Sequence, residues 1–275
     1  MRLRIAAGTA FALVVLALTA TAGAAPSGAG SCSGGLVAGG TYNGYTVTGN
    51  CFFAGDPVTI NGNLTIADGA SLNAHAATLA LVHVTGNVMV GKGAILGLGQ
   101  FGPPNIPQTG TVVDGNIVAN QPLSLYLGGI TVHGNVVSNG GGTADRFYNF
   151  PIKGNTIDGN LIIHGWAGGW WGAVANTVGG NLDVSNNASV VHATDDAGCQ
   201  GTFPNGCAAT AGADDDSSEV QARASATPAG PATPQHISGN LICQGNTPPA
   251  HINSLDDAGG TNTVDGNKIG ECAGL

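Results

Sequence analysis

The sequence is poor in charged and aromatic residues. Asp, Glu, Lys and Arg together make up only 8% of the 275 residues, and aromatic residues make up 5%. Only 7 residues are Lys or Arg, against 16 that are Asp or Glu. So few cationic side chains argue against binding to nucleic acid and against insertion into anionic membranes. With 47 glycines, the chain must keep its surface soluble mainly with Asn, Thr and Ser.

The first 24 residues have the pattern of a secretory signal peptide. Arg2 and Arg4 precede an apolar run over 5–18, and small residues follow at 22–24. The apolar run is shorter than the roughly 20 residues needed to span a bilayer, and a lipoprotein would need a cysteine directly after it. We therefore expect cleavage after Ala24 and a secreted, extracellular protein. Its formal charge would be 5 − 16 = −11, since cleavage removes two basic residues and no acidic ones.

The six cysteines show no CxxC or CxxH spacing, so metal binding is not indicated. Cysteines of an exported protein are typically paired in disulfides. Among fifteen possible connectivities, sequential pairing is favoured because each pair is close in sequence and brackets a distinct region. The predicted pairs are Cys32 with Cys51, Cys199 with Cys207, and Cys243 with Cys272.

One motif, (Thr)-(Val/Ile)-x-Gly-Asn-(apolar)-x-(apolar), recurs nine times, for example as TINGNLTI, TVHGNVVS and TIDGNLII. Most intervals between copies are 19 to 29 residues. A period of this size is typical of a solenoid, in which each repeat buries its apolar face against its neighbours. Apolar residues alternate within a copy, which predicts strands rather than helices.

The Gly-Asn pair has two interpretations. It is either a tightly packed mid-strand glycine or, as we favour, a short bend with Asn in the left-handed conformation. Stacked bends would place the asparagines in a ladder of amide hydrogen bonds. The predicted ladder consists of Asn50, Asn63, Asn87, Asn116, Asn135, Asn160, Asn181, Asn240 and Asn267.

These features predict an all-β chain folded as a right-handed parallel β-helix of roughly nine coils, with a β-sandwich as the alternative. Irregular coil lengths favour the right-handed over the left-handed form. The predicted organisation is a signal peptide (1–24), an N-terminal cap (25–45), coils (46–185), an acidic, Pro-containing loop insertion (186–236), and final coils with a C-terminal cap (237–275).

The repeated copies and the closing NTVDGNKIGEC resemble a group of uncharacterised exported bacterial proteins of actinobacterial type, built from Val-x-Gly-Asn-Val coils. More distantly, the coil pattern is similar to pectate-lyase-like parallel β-helix proteins. That group includes polysaccharide lyases, hydrolases and non-catalytic adhesins. The resemblance therefore implies an architecture and leaves the chemistry open.

Equal positions in successive coils become spatial neighbours, so candidate sites lie in columns. The position before Gly holds Asp114, His133 and Asp158 in three consecutive copies. Such a column could bind a divalent metal or perform acid–base chemistry, but solvated polar residues at a variable outer position are the favoured explanation. Asp195 and Asp196 are further catalytic candidates. These two residues and the acidic run at 214–219 could also hold calcium, but neither cluster has the spacing of a calcium-binding loop.

Several aromatic residues fall between two neighbouring copies, and exposed rings there could stack on sugars. Packing over the coil surface is the simpler interpretation. The candidate ligand-binding residues are Tyr148, Trp166, Trp170 and Trp171.

The catalytic signatures of polysaccharide-active β-helices are missing. A lyase needs a basic residue and several cations, whereas five scattered cations follow the signal peptide. We therefore expect a secreted, non-catalytic β-helix with a structural or binding role outside the cell or at the cell wall, with polysaccharide or a cell-wall surface as its partner. A polysaccharide lyase or glycoside hydrolase is the alternative.

Overall fold

The structure is a computed structural model that describes residues 28–53, 55, 57–75, 81–99, 110–143, 149–168, 170–174, 176–188, 190–192, 235–247, 250 and 262–274. In these ranges the regular secondary structure is β-strand, apart from one short 3-10 helix at Glu271–Gly274. The all-β prediction is confirmed. No helix in the described ranges is long and apolar enough to cross a membrane.

The strands form three series that alternate along the chain. The first series is β5 (Leu64–Ile66), β8 (Val88–Val90), β11 (Ile117–Asn120), β14 (Val136–Asn139), β17 (Leu161–His164), β20 (Leu182–Ser185), β23 (Leu241–Gln244) and β25 (Lys268–Gly270). The second is β6 (Ser71–His75), β9 (Ile95–Gly99), β12 (Ser124–Gly128), β15 (Asn149–Lys153), β18 (Trp170–Val174) and β21 (Val190–His192). The third is β2 (Gly40–Tyr42), β4 (Val58–Ile60), β7 (Val82–Val84), β10 (Val112–Val113), β13 (Thr131–Val132), β16 (Thr156–Ile157), β19 (Thr177–Val178), β22 (His236–Ile237) and β24 (Thr263–Val264).

Strands of one series pair in parallel with the same strand of the next repeat, so two long parallel sheets result. Val132 of β13 pairs with Val113 of β10 on one side and Ile157 of β16 on the other. The first and second series join through the long strand β3 (Tyr45–Phe53), which pairs with both β5 and β6, while β1 (Gly30–Val37) pairs with β3. Parallel pairing of this kind is compatible with a parallel β-helix and differs from the antiparallel sheets of a β-sandwich.

Strands also occupy both ends of the predicted insertion at 186–236. β21 pairs with β18 just after residue 186, and β22 begins at His236. The acidic segment between them lies outside the described residues. Parallel stacking resumes directly after it, since β22 pairs with β19 and β23 pairs with β20.

The core lies between the series and follows the alternation of each strand. Val132, Val136 and Leu161 are fully buried, whereas their neighbours in sequence are partly or fully exposed. Cys51 and Cys243 occupy core positions of their copies, as the sequence pattern predicts. Burial of each aliphatic side chain contributes about 1.5–3 kcal/mol, so the repeats stabilise one another mainly through this shared core.

Two disulfides lie near the two ends of the described chain. Cys32 of β1 is bonded to Cys51 of β3, with their Cα atoms 6.3 Å apart. Cys243 of β23 is bonded to Cys272 of the 3-10 helix, with a Cα separation of 5.5 Å. Both predicted pairings are confirmed, and the predicted pair of Cys199 and Cys207 lies outside the described residues. Terminal repeats have a neighbour on one side only, so a covalent link there limits fraying.

The Gly-Asn pair forms a bend, but the predicted left-handed Asn is wrong. Among the described non-glycine residues only Gln121 and Asn186 have positive φ. The glycine is needed for another reason: a Cβ at Gly134 would lie 2.6 Å from the Gly115 carbonyl oxygen and 2.7 Å from Asn116 Oδ1. Close stacking of successive backbones therefore explains why glycine recurs at this position.

Eight of the nine motif asparagines form a continuous ladder. Asn135 donates its backbone N–H and its Nδ2 to Asn116 Oδ1, at 2.8 and 3.0 Å. Asn160 donates to Asn135 Oδ1 in the same way, at 2.8 and 2.9 Å. The same pair of bonds recurs from Asn116 to Asn267, and at the start of the ladder the backbone N–H of Asn87 bonds to Asn63 Oδ1.

Asn50 departs from the predicted ladder. It lies inside the continuous strand β3 rather than at a bend, and its Oδ1 accepts a hydrogen bond from Ser71 Oγ at 3.0 Å. The first copy therefore contributes strand pairing in place of the amide bonds made by later copies.

Replacing Gly134 with Ala should lower the free energy of unfolding by about 1–3 kcal/mol, because the new methyl group overlaps two oxygen atoms of the preceding repeat. Urea unfolding followed by circular dichroism measures this. Gly274→Ala is the matched control, since a Cβ there meets nothing within 4 Å. Equal stability of the two variants would contradict the packing explanation.

Asn135→Ala should also destabilise the fold, by about 1–3 kcal/mol, because it leaves the backbone N–H of Asn160 without its acceptor. Asn267→Ala removes the Nδ2 donor to Asn240 but keeps the backbone N–H donor, and no later ladder asparagine depends on Asn267. The terminal variant should therefore cost clearly less. Thermal unfolding of both variants tests the ladder, and a larger loss for Asn267→Ala would argue against it.

Candidate functional site

The predicted column of acidic and imidazole side chains follows the third series of strands. β10, β13 and β16 pair in register, so Asp114, His133 and Asp158 occupy equivalent positions at the ends of neighbouring strands. His133 Nδ1 lies 2.7 Å from Asp158 Oδ2. The two side chains are 50% and 53% exposed, so solvent reaches the column.

Asp114 has a partner that the sequence analysis missed. His83 Nε2 lies 3.0 Å from Asp114 Oδ2. His83 belongs to β7, the strand that precedes β10 in the sheet, so the column extends over four consecutive repeats. We call His83, Asp114, His133 and Asp158 the His–Asp column.

Two further histidines lie close to an aspartate of the following repeat. His236 Nε2 lies 3.1 Å from Asp265 Oδ2, in the same sequence relation as His83 to Asp114. His164 Nε2 lies 3.1 Å from Asp183 Oδ2, but on the first series of strands. The sequence does contain a signal for the pairs of His83 and His236. In both, the histidine stands three residues before the glycine of its motif, and the aspartate stands one residue before the glycine of the next motif copy.

The pKa of His133 is raised above its ordinary value of 6.5. The largest cause is the hydrogen bond to Asp158, slight desolvation opposes it, and the negative charges of Asp158 and Asp114 add to the increase. Protonated His133 is thus favoured on the folded protein. Because the pair is half exposed, water and salt screen its contribution to stability.

The arrangement limits the chemistry of the column. In a catalytic site the carboxylate and imidazole groups would be free to act on a substrate. Here His83, His133 and His236 each contact an aspartate of the following repeat instead. Among the described residues, no three His, Cys, Asp or Glu side chains converge to hold a metal ion. Acid–base exchange through the exposed imidazole of His133 remains chemically available to the column.

A second amide ladder, inside the core, was missed by the sequence analysis. Asn155 Nδ2 donates to Leu127 O at 3.0 Å and to Asn176 Oδ1 at 2.9 Å. Asn176 Nδ2 donates to Ile152 O at 2.8 Å and to Gln235 Oε1 at 3.0 Å. These buried amides are bonded to one another and to backbone, so their role is structural.

A third ladder ends at a carboxylate. Asn187 Nδ2 donates to Asn246 Oδ1 at 3.0 Å, and Asn246 in turn donates to Glu271 through N and Nδ2, both at 2.9 Å. Burial favours the neutral form of Glu271, but hydrogen bonds from Asn246 and from the backbone at Gly245 and Ala250 outweigh it and lower the pKa. Glu271 therefore terminates this ladder as an acceptor.

The aromatic candidates do not form a described sugar-binding surface. Trp166 is fully buried, and its backbone N–H donates to Asn187 Oδ1 at 2.8 Å. The Trp166 ring is therefore covered by the fold, in agreement with the packing interpretation that the sequence favours. Trp170 and Trp171 lie in β18, whose backbone pairs with β15 and β21. Tyr148, Asp195 and Asp196 lie outside the described residues.

Comparison with family models, with curated protein sequences and with solved structures finds no match to this chain.

The raised pKa of His133 sets a pH dependence. A folded-state pKa above the unfolded value means that the His133–Asp158 pair stabilises the fold fully below about pH 6.5 and stops doing so as the pH rises through the folded pKa. Asp158→Asn should lower the His133 pKa, measured by NMR titration of the imidazole. Asp265→Asn, which affects only the distant pair with His236, is the control. An unchanged pKa in Asp158→Asn would contradict the assignment.

Proposed function

We propose that this protein is an exported, right-handed parallel β-helix of about nine coils that serves as a structural or binding protein outside the cell or at the cell wall. The observation that carries the proposal is the unbroken ladder from Asn63 to Asn267. The bond from the Asn240 backbone N–H to Asn181 Oδ1, at 2.8 Å, continues it across a gap of 59 residues.

Hydrogen bonds between polar side chains of successive repeats support a rigid scaffold. The motif amides, the buried amides and three of the His–Asp pairs bond to the repeat before or after them, which supports a rod whose repeats move together. The disulfides near both ends add to this rigidity and agree with an oxidising, extracellular compartment. The N-terminal signal-peptide pattern supports export.

The alternative is a polysaccharide-active enzyme, and one observation favours it. Asp114 and Asp158 flank His133 two repeats apart, about 9.6 Å at the usual strand spacing. Two carboxylates at roughly 6.5–9.5 Å could in principle serve an inverting hydrolase. The column is secondary because each of its carboxylates already bonds to a histidine.

The first experiment is small-angle X-ray scattering combined with a polysaccharide panel, on the protein beginning at Ala25. Nine coils at about 4.8 Å predict a particle elongated to at least about 43 Å along the coil axis. Incubation with neutral and acidic polysaccharides, with and without calcium, should yield co-sedimentation without new reducing ends or unsaturated products. A compact particle would contradict the rod.

Cleavage of any polysaccharide would overturn the non-catalytic role. In that case Asp158→Asn should abolish the activity if the His–Asp column is responsible, while Asp265→Asn should leave it unchanged. If the protein neither binds nor cleaves any polysaccharide, the structural role remains as the proposal.

A further inference from the structure

A row of aliphatic side chains runs along the outer face of the first series of strands. Strand alternation places one residue per repeat at the centre of this face, and successive members pair in register. All are partly or fully exposed. We call this row the aliphatic stripe; it comprises Thr65, Met89, Val118, Val137, Ile162, Asp183, Ile242 and Ile269.

The stripe is flanked by amides. On one side lies the Asn ladder, two residues earlier in each repeat, and on the other lie Asn120, Asn139 and Gln244, two residues later. From Asn116 to Asn267, each ladder asparagine uses one N–H of its amide nitrogen to bond the preceding repeat, for example Asn160 to Asn135. An amide nitrogen carries two N–H groups, so the ladder leaves the second for another acceptor.

The stripe contains one acidic side chain. Asp183 interrupts it, with a side chain only 22% exposed that contacts His164 at 3.1 Å and accepts a hydrogen bond from Ser185 Oγ. The acidic side chains Asp114, Asp158 and Asp265 lie instead at the third series of strands. Local charge repulsion between two copies would therefore be weaker across the stripe than across that acidic face.

We propose that the aliphatic stripe is the interface through which two copies of this chain pair face to face. Eight repeats give a length of about 34 Å, and three columns of side chains give a width of about 20 Å, so the footprint is on the order of 700 Å². A standard-size interface uses about 800 Å² on each partner, so the stripe is close to the size that a stable dimer needs.

The chemistry of the face favours a second copy over a glycan. Its central side chains are mostly Val, Ile and Met, which pack against like side chains when two sheets stack about 10 Å apart. A two-fold axis at the middle of the stripe would set Val137 of one copy against Ile162 of the other. The interface is then self-complementary, as closed dimers require. Partial desolvation of Asp183 opposes pairing, and the hydrogen bond from Ser185 Oγ and the nearby His164 reduce that cost.

Sedimentation velocity on protein expressed from the full chain tests the proposal. Wild type should sediment as a species of twice the chain mass at high protein concentration. Combined substitution Val137→Lys and Ile162→Lys should shift it to monomer, because four ammonium groups would face one another across the axis. Thr156→Lys is the matched control: it adds a lysine at an outward position of β16, on the third series, and should remain dimeric.

Two further measurements keep the outcome unambiguous. Circular dichroism must show that the double variant keeps its strand content, and Val137→Thr with Ile162→Thr, which keeps β-branching, should weaken the dimer without abolishing the fold. Raising the salt concentration should not dissociate wild type, since the contact is apolar. A wild type that stays monomeric at every concentration, or a dimer that Thr156→Lys disrupts as strongly as the double variant, would overturn the proposal.

Discussion

The stacking of each repeat directly on the one before it forces every side chain to share its surroundings with the same position in the next repeat. An amide suits such a column because it carries both a donor and an acceptor, so each copy can donate to one neighbour and accept from the other. Asn116, Asn135 and Asn160 do this on the surface, and Asn155 and Asn176 do it in the core. The glycine before each ladder asparagine belongs to the same constraint, because a Cβ at Gly134 would occupy the space of the stacked backbone below it.

The same constraint governs charge. A column of identical charges about 4.8 Å apart would be repulsive, whereas alternation of imidazole and carboxylate becomes attractive as the histidines protonate. The His–Asp column alternates in this way over four repeats, and Asp265 follows His236 in the same order. Glu271 ends a ladder for the same reason. Its carboxylate accepts hydrogen bonds from Asn246 and does not have to donate one to a further amide.

Much of the fold could be predicted from the sequence because the motif marks equivalent positions in successive repeats. Nine copies of one motif identify which residues stack, so the parallel strands, the core positions of Cys51 and Cys243 and most of the Asn ladder could be inferred before any coordinates. The backbone of the Gly-Asn bend was inferred wrongly because the intrinsic preference of Asn for left-handed φ is local, whereas the conformation here is set by the repeat below. Asn50 was misplaced for a related reason: only 13 residues separate it from Asn63, too few for a full coil, and the chain forms the long strand β3 instead.

The candidate site was harder to predict because its residues do not keep one motif position. His83 and Asp114 stand at different offsets from their glycines. His83 pairs in register with Val112, so its 3.0 Å contact with Asp114 is a diagonal one, two residues further along. The buried amides from Asn155 to Gln235 precede their strands and look like loop residues in sequence, so nothing marked them as core. This bears on function, because in a chain of repeats stacked in parallel a polar column first of all joins one repeat to the next. A column is stronger evidence for a ligand or a reaction when its groups do not already bond to one another. By that criterion the His–Asp column supports the scaffold more than it supports catalysis. The Val, Ile and Met side chains of the aliphatic stripe form no hydrogen bonds, so the stripe is the better candidate for contact with a partner.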